Sequence, residues 1–239
     1  MNPADLDQAV VAAVRAATAA GELSGEVPAH AALRWAEGSF VSPLPLRLAA
    51  RGGDLPPRQV AEVIARRVGG EVVGPGFLRL EMPEPGALAK RIAEAGDFGK
   101  GAAVMGSTWP DRPRTFDNPG FRVRFAYARA AAVWRRAGAL GLAPGAPEGW
   151  LGAAEERRLL GLMAELPGRA AGRDAAGYRR HLVRVADAYH DVYERCPALP
   201  RGDEPPNPRH GARLTLAEAA RVALNNGLRT LGETPEERL

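Results

Sequence analysis

Hydrophobic spacing along the chain predicts a mixed first half and a helical second half. Asn2, Pro3 and Asp5 form a helix start by capping, proline placement and dipole compensation. Leu6, Val10, Val14 and Ala17 then recur at helical spacing until Gly21. Weak strand character follows around Ala32, Leu33, Arg34 and Trp35. Ser42-Pro43-Leu44-Pro45 reads as a break before a short helix over Leu46–Ala50. Asp54-Leu55-Pro56-Pro57 opens another helix, with Val60, Ile64 and Val68 on its apolar face. Glu71–Val73 and Phe77–Leu80 read as strands joined by the turn Gly74-Pro75-Gly76, and Pro85–Phe98 as a helix closed by Gly99.

Residues 100–116 show no period and many breakers, so they are expected to form a linker. Beyond them the pattern is helical. Asn118-Pro119 starts a helix reaching about Ala137, Ala153–Leu166 and Asp174–Arg195 follow, and Ala212–Leu231 closes the series after a proline-rich loop at Arg201–Gly211. Four helices predict a bundle. The expected organisation is therefore an α+β domain over 1–99, a linker over 100–116 and an all-α bundle over 117–239, mostly helical overall.

Composition supports a core built on small aliphatics. The 239 residues are 46% hydrophobic but only 6% aromatic, so Ala, Val and Leu must fill the interior. The single cysteine, Cys196, excludes a disulfide framework or a cysteine zinc site and reads as a buried thiol. No apolar run approaches the length of a membrane span, and the N-terminus lacks a basic-then-apolar leader, so a cytoplasmic protein is expected.

Charge changes the picture more. Residues 1–99 carry 10 basic and 12 acidic side chains, whereas residues 100–239 carry 22 and 16. Seven arginines fall in 112–136 (112, 114, 122, 124, 129, 135 and 136) against one acid, Asp117. On a helical projection Phe121, Phe125, Ala128 and Ala132 share one sector, with Val123, Tyr127, Ala130 and Trp134 opposite. Arg122, Arg129 and Arg136 line one edge of the first sector, and Arg124 and Arg135 the other. Such an arrangement serves either as snorkelling arginines on a core helix or as a phosphate-binding edge beside a stacking aromatic.

Smaller motifs add little. Asp97-Phe98-Gly99 lacks the other elements of a kinase site, and Gly96–Lys100 lacks the hydroxyl residue of a P-loop. Arg201-Gly202-Asp203 is read as a chance loop tripeptide. His181 and His190 are nine apart on one helix and so face opposite ways, against a shared metal. Asp187 and Asp191 are expected to pair with Arg184 and Arg195 along their helix.

Two stretches together resemble arginyl-tRNA synthetase. Leu46–Ala50, Leu55–Ala61 with Ile64-Ala65, the Val72-Val73-Gly74-Pro75-Gly76-Phe77-Leu78 hairpin, and Ala87-Leu88 through Gly99 resemble its N-terminal accessory domain. Asn118-Pro119 with Val123-Arg124-Phe125-Ala126-Tyr127-Ala128-Arg129 resembles the opening helix of its DALR anticodon-binding domain. Leu182 to Leu199 resembles the long third helix. Ala212-Arg213-Leu214, Ala223–Leu228 and Leu231–Leu239 resemble the last helix and tail.

In that family the catalytic domain lies between these two parts, where this chain has only residues 100–116. Its His-Ile-Gly-His signature does not occur, and two lysines (Lys90 and Lys100) cannot build its lysine-rich loop. The resemblance therefore implies a chain that does not aminoacylate alone, with no catalytic residues, no cofactor and no metal. It implies tRNA as partner. The D-loop contact falls on the Gly38–Pro43 segment through Ser39, Phe40 and Ser42. The anticodon contact falls on the opening and last helices through Arg122, Arg124, Phe125, Tyr127, Arg129, Arg136, Asn225 and Asn226. Phe125 stands where the family often has tyrosine and Tyr127 where it often has histidine. Two other readings stay open: the tRNA-binding subunit of a split arginine-tRNA ligase with a separate catalytic chain, or a protein-interaction module whose partner is another protein or a second copy.

Overall fold

The computed structural model describes residues 3–36, 38–52, 54–82, 84–101, 109–110, 112–172 and 174–239. The expected cap at Asn2 and the centre of the expected linker lie outside the described residues. The chain divides into two compact units, Met1–Pro83 and Glu84–Leu239.

The first unit is α+β. Its elements are α1 (Pro3–Ala19), β1 (Arg34–Ala36), β2 (Ser39–Ser42), α2 (Leu44–Ala50), α3 (Pro57–Val68), β3 (Glu71–Val73) and β4 (Phe77–Leu80). The strands form one antiparallel sheet in the order β1-β2-β4-β3, with Phe40 opposite Leu80 and Ser42 opposite Leu78. Val10, Ala17, Phe40, Ile64 and Leu78 are fully buried between helices and sheet. The β3–β4 turn passes so close to α3 that a Cβ on Gly76 would lie 2.7 Å from the Pro57 carbonyl carbon, at a φ of +132° that also favours glycine.

One local reading is corrected here. Pro45 does not break the chain, because it occupies the first turn of α2, where its missing N–H has no partner to lose. The segment to which the resemblance assigns the D-loop contact forms the inner strand β2, held at its end by Ser42, whose Oγ donates to Ala31 O and accepts from Leu44 N at 3.1 Å.

The second unit is helical: α4 (Pro85–Glu94), α5 (Pro119–Ala139), α6 (Ala154–Ala164), α7 (Leu166–Ala171), α8 (Ala175–Arg195) and α9 (Pro208–Thr230). Helix α9 is the axis; α4, α5, α6, α7 and α8 all pack on it. It starts four residues earlier than the apolar period predicts. Asn207 caps it by accepting from His210 N at 3.2 Å, and His210 Nδ1 accepts from Asn207 N at 3.2 Å. Gly227 lets α8 approach: a Cβ there would lie 2.6 Å from Leu182 Cδ1.

The grouping of α4 also differs from the sequence reading, which closed the first domain with it. Its apolar face, Leu88, Ala89 and Ile92, is buried, and the helix packs on α9. The following turn is tied down as well. Asn226 Nδ2 donates to Gly96 O and Phe98 O at 3.0 Å each, Tyr178 Oη donates to Gly99 O at 3.2 Å, and Gly101 N donates to Thr230 Oγ1 at 2.9 Å. Burial pushes the Tyr178 hydroxyl up to about 12, so it stays a donor.

Candidate nucleic-acid interface

The site is built from the start of α5. Asn118 Oδ1 accepts from Gly120 N at 2.9 Å and Phe121 N at 3.3 Å, which caps the helix. Its amide nitrogen donates to Pro110 O at 3.1 Å and Pro113 O at 3.0 Å, which fixes the incoming chain. Arg122 Nε donates to Phe116 O at 3.0 Å. These bonds set Phe116 over the first two turns of α5.

Five rings gather there. Phe121 and Phe125, one turn apart, stack with centroids 5.5 Å apart and planes 13° off parallel. Phe116 meets them edge-on at 6.3 and 5.5 Å and meets His190 of α8 at 5.4 Å. His190 lies 5.8 Å from Phe125. The Arg129 guanidinium lies over the faces of Phe125 (4.8 Å) and Tyr193 (4.4 Å), in cation–π geometry with each. Phe116 is 51% exposed, a large apolar ring offered to solvent at the centre of the group. Tyr193 at the edge of the group also lines a cavity of about 180 Å³, with Val133, Arg136, Cys196, Leu199 and Arg201.

The local positive field is smaller than the count in 112–136 suggests. Arg122 makes a two-point ion pair with Asp187 at 3.0 and 3.2 Å, and Arg124 pairs with Glu233 at 2.5 Å. Arg129 lies 3.6 Å from Glu194, and Arg135 lies 3.5 Å from Glu237. All four acids come from outside that window. Asp187 and Asp191 pair across helices, Asp191 with Arg158, because their side of α8 faces α5 and α6; the expected pairing along α8 is thereby corrected. Burial, and secondarily the Arg129 charge, holds His190 below the ordinary histidine value against the opposing pull of its Arg122 backbone bond.

Of the residues expected to touch RNA, Arg122, Phe125 and Arg129 converge on this face, and Arg136 is exposed at the cavity rim. Asn225 is half-buried on α9, where its amide donates to Asn226 Oδ1 and its oxygen accepts from Arg229. The others are turned inward, which corrects the expectation that they meet RNA. Arg124 is buried in its pair with Glu233, and Tyr127 lies on the core side of α5, 4% exposed. Asn226 is spent on the Gly96 and Phe98 carbonyls. In the first unit Phe40 is 1% exposed and packed edge-on against Trp35, so it cannot stack on a base. Ser39 and Ser42 are buried and bonded to the carbonyls of Ala36 and Ala31.

The sequence reading missed Phe116, Phe121, His190 and Tyr193 as site members. Phe121 and Phe125 carried a signal, the one-turn spacing of two aromatics. That His190 and Tyr193 of α8 meet them is a fact of helix packing that spacing within α8 does not encode. Among the described residues, no group of three His, Cys, Asp or Glu side chains could hold a metal, and no helix is long and apolar enough to cross a membrane.

Residues 123–239 match the DALR anticodon binding domain family. That part of the second unit is thus similar to a DALR anticodon-binding domain. Curated relatives agree. An arginine–tRNA ligase from Frankia alni is 41% identical over 134 residues, and one from Clavibacter sepedonicus is 39% identical over 132. Each match covers 53% of this chain and 24% of the relative, so the matched stretch spans about a quarter of the ligases' length. The chain is arginyl-tRNA synthetase-like. Phe116, Phe121 and Arg122 lie just before the matched DALR segment, so the aromatic face is completed by residues that precede it.

Proposed function

We propose that this protein is a non-catalytic tRNA-binding protein, or binds a tRNA-like RNA, through the aromatic–arginine face of its DALR domain. The exposed Phe116 ring, backed by Phe121, Phe125 and His190 and flanked by Arg129, carries this reading. Bases unstacked from a loop pack on such rings, and guanidinium groups at the margin meet their phosphates. The adjoining cavity has room for a single base. Nothing comparable is offered by Ser39, Phe40 and Ser42, so the reading rests on the second unit alone. No cofactor enters it, and its place of action is the cytoplasm, where tRNA is.

The absence of catalysis is supported by the sequence. Only residues 100–116 stand where the ligase family has its catalytic domain, and the ligase signatures are missing. The test is anisotropy of labelled tRNA at low and rising salt. Binding at low salt, weakening with salt by a slope of about 0.7–0.9 per phosphate contact, supports the proposal. No binding at low salt overturns it.

A second reading, a tRNA-binding subunit of a split arginine-tRNA ligase, is favoured by the names of both relatives. Copurification with a catalytic chain, and arginylation only when both are mixed, would select it.

A further inference from the structure

The contacts of His190 fix its protonation state. Arg129 Nη1 lies 3.3 Å from His190 Nδ1, and a guanidinium only donates, so Nδ1 is the acceptor and carries no proton. His190 Nε2 lies 3.3 Å from the Arg122 backbone oxygen, which only accepts, so Nε2 carries the ring proton. Both contacts demand the same neutral tautomer. The ring is buried, and its surroundings are defined on each side. Arg129 and the Arg122 carbonyl face it from α5, Asp187 and Glu194 from its own helix, and the Phe116 ring from the segment before α5. Asp187 is already held by Arg122, and Glu194 stands 3.6 Å from Arg129.

We infer that His190 is a proton-sensitive positioning residue for RNA binding. In the neutral form it holds the Arg129 guanidinium over Phe125 and Tyr193, at the edge of the stacking face. A proton on Nδ1 removes that acceptor and sets an N–H against the guanidinium, releasing Arg129 from its place. Acidification then weakens RNA binding, the opposite of what added positive charge alone does to a polyanion. This inference rests on the proposed function for its RNA readout, while the tautomer and its coupling to Arg129 do not.

The test uses the full chain and labelled tRNA at about pH 8 and about pH 5. His190→Phe keeps a ring but removes the acceptor, and should weaken binding at the higher pH about tenfold. His190→Asn restores an acceptor near Nδ1 and should recover most of that loss. On going to the lower pH, the wild-type chain should lose affinity relative to His190→Asn. Identical pH profiles for those two proteins, or unchanged binding by His190→Phe, overturns the inference. Nitrogen NMR of the free protein should show the neutral Nε2–H ring near neutral pH and Arg129 side-chain shifts that follow the His190 titration. A charged or Nδ1–H ring there overturns the inference without reference to RNA. If tRNA fails to bind at the higher pH while the NMR result holds, the proposed function falls and the positioning of Arg129 stands.

Discussion

Arg124 and Glu233, 109 residues apart, form a nearly buried ion pair that also grips the chain entering α5. Arg124 Nη2 donates to Glu233 at 2.5 Å and to Trp109 O at 2.9 Å, while the other Glu233 oxygen accepts from Trp109 N at 2.8 Å. Three segments thus meet at one buried charge pair: Trp109, the second turn of α5 and the turn after α9. Removing one partner leaves an uncompensated buried charge, which costs about 3–5 kcal/mol. Arg124→Ala should lower stability by that order in urea unfolding. The Arg124→Ala/Glu233→Ala double variant should recover part of the loss, measured as coupling in a double-mutant cycle.

Phe116 and Phe40 give the clearest contrast between a ring placed for binding and one placed for packing. Phe116 is half exposed, so Phe116→Ala should change the melting temperature little while weakening tRNA binding by about 1–3 kcal/mol, the worth of one stacked base. Phe40 is 1% exposed, and Phe40→Ala should cost about 3–5 kcal/mol of stability. Anisotropy titrations and thermal melts of the two variants side by side test the assignment.

Their positions also show where the sequence is legible. Helix existence followed from apolar spacing and from caps such as Asn118, and the α+β-then-helical order followed from the strand–turn–strand pattern around Gly74-Pro75-Gly76. Phe40 misled because the resemblance places an aromatic contact at that position without saying which way the ring faces. Its burial depends on β2 lying between β1 and β4, a pairing set by residues far along the chain. Arg124 misled for the same kind of reason. Its place on the edge of α5 was read correctly, but Glu233, which takes it out of play, lies 109 residues away. The cluster of arginines was legible as a count. Its strength was not, because Asp187, Glu194, Glu233 and Glu237 arrive only when the helices pack.

Arg136 follows from that correction. It is exposed at the rim of the cavity that adjoins the aromatic face, whereas Arg122 is committed to Asp187. An arginine with an acidic partner at contact distance neutralises RNA phosphate less effectively than one that faces solvent. Arg136→Ala should therefore reduce the salt slope of tRNA binding by about 0.7–0.9 if it meets one phosphate. Arg122→Ala should change the slope less but disturb Phe116, whose carbonyl Arg122 holds. Slopes from titrations at several salt concentrations distinguish the two.

Stability should depend on pH through His190 as well. Its folded-state value lies below the ordinary 6.5, mainly through burial, so the unfolded chain takes up the proton first. The contribution is fully present above 6.5 and is lost as the pH falls from there through the folded-state value. His190→Phe removes the group, so its melting temperature should fall less than that of the wild-type chain between about pH 8 and pH 5. Parallel slopes for the two proteins would show that carboxylates elsewhere dominate the acid limb. The depth of the aromatic face then matters, because the same burial that lowers His190 is what keeps Arg129 aligned over Tyr193 at neutral pH.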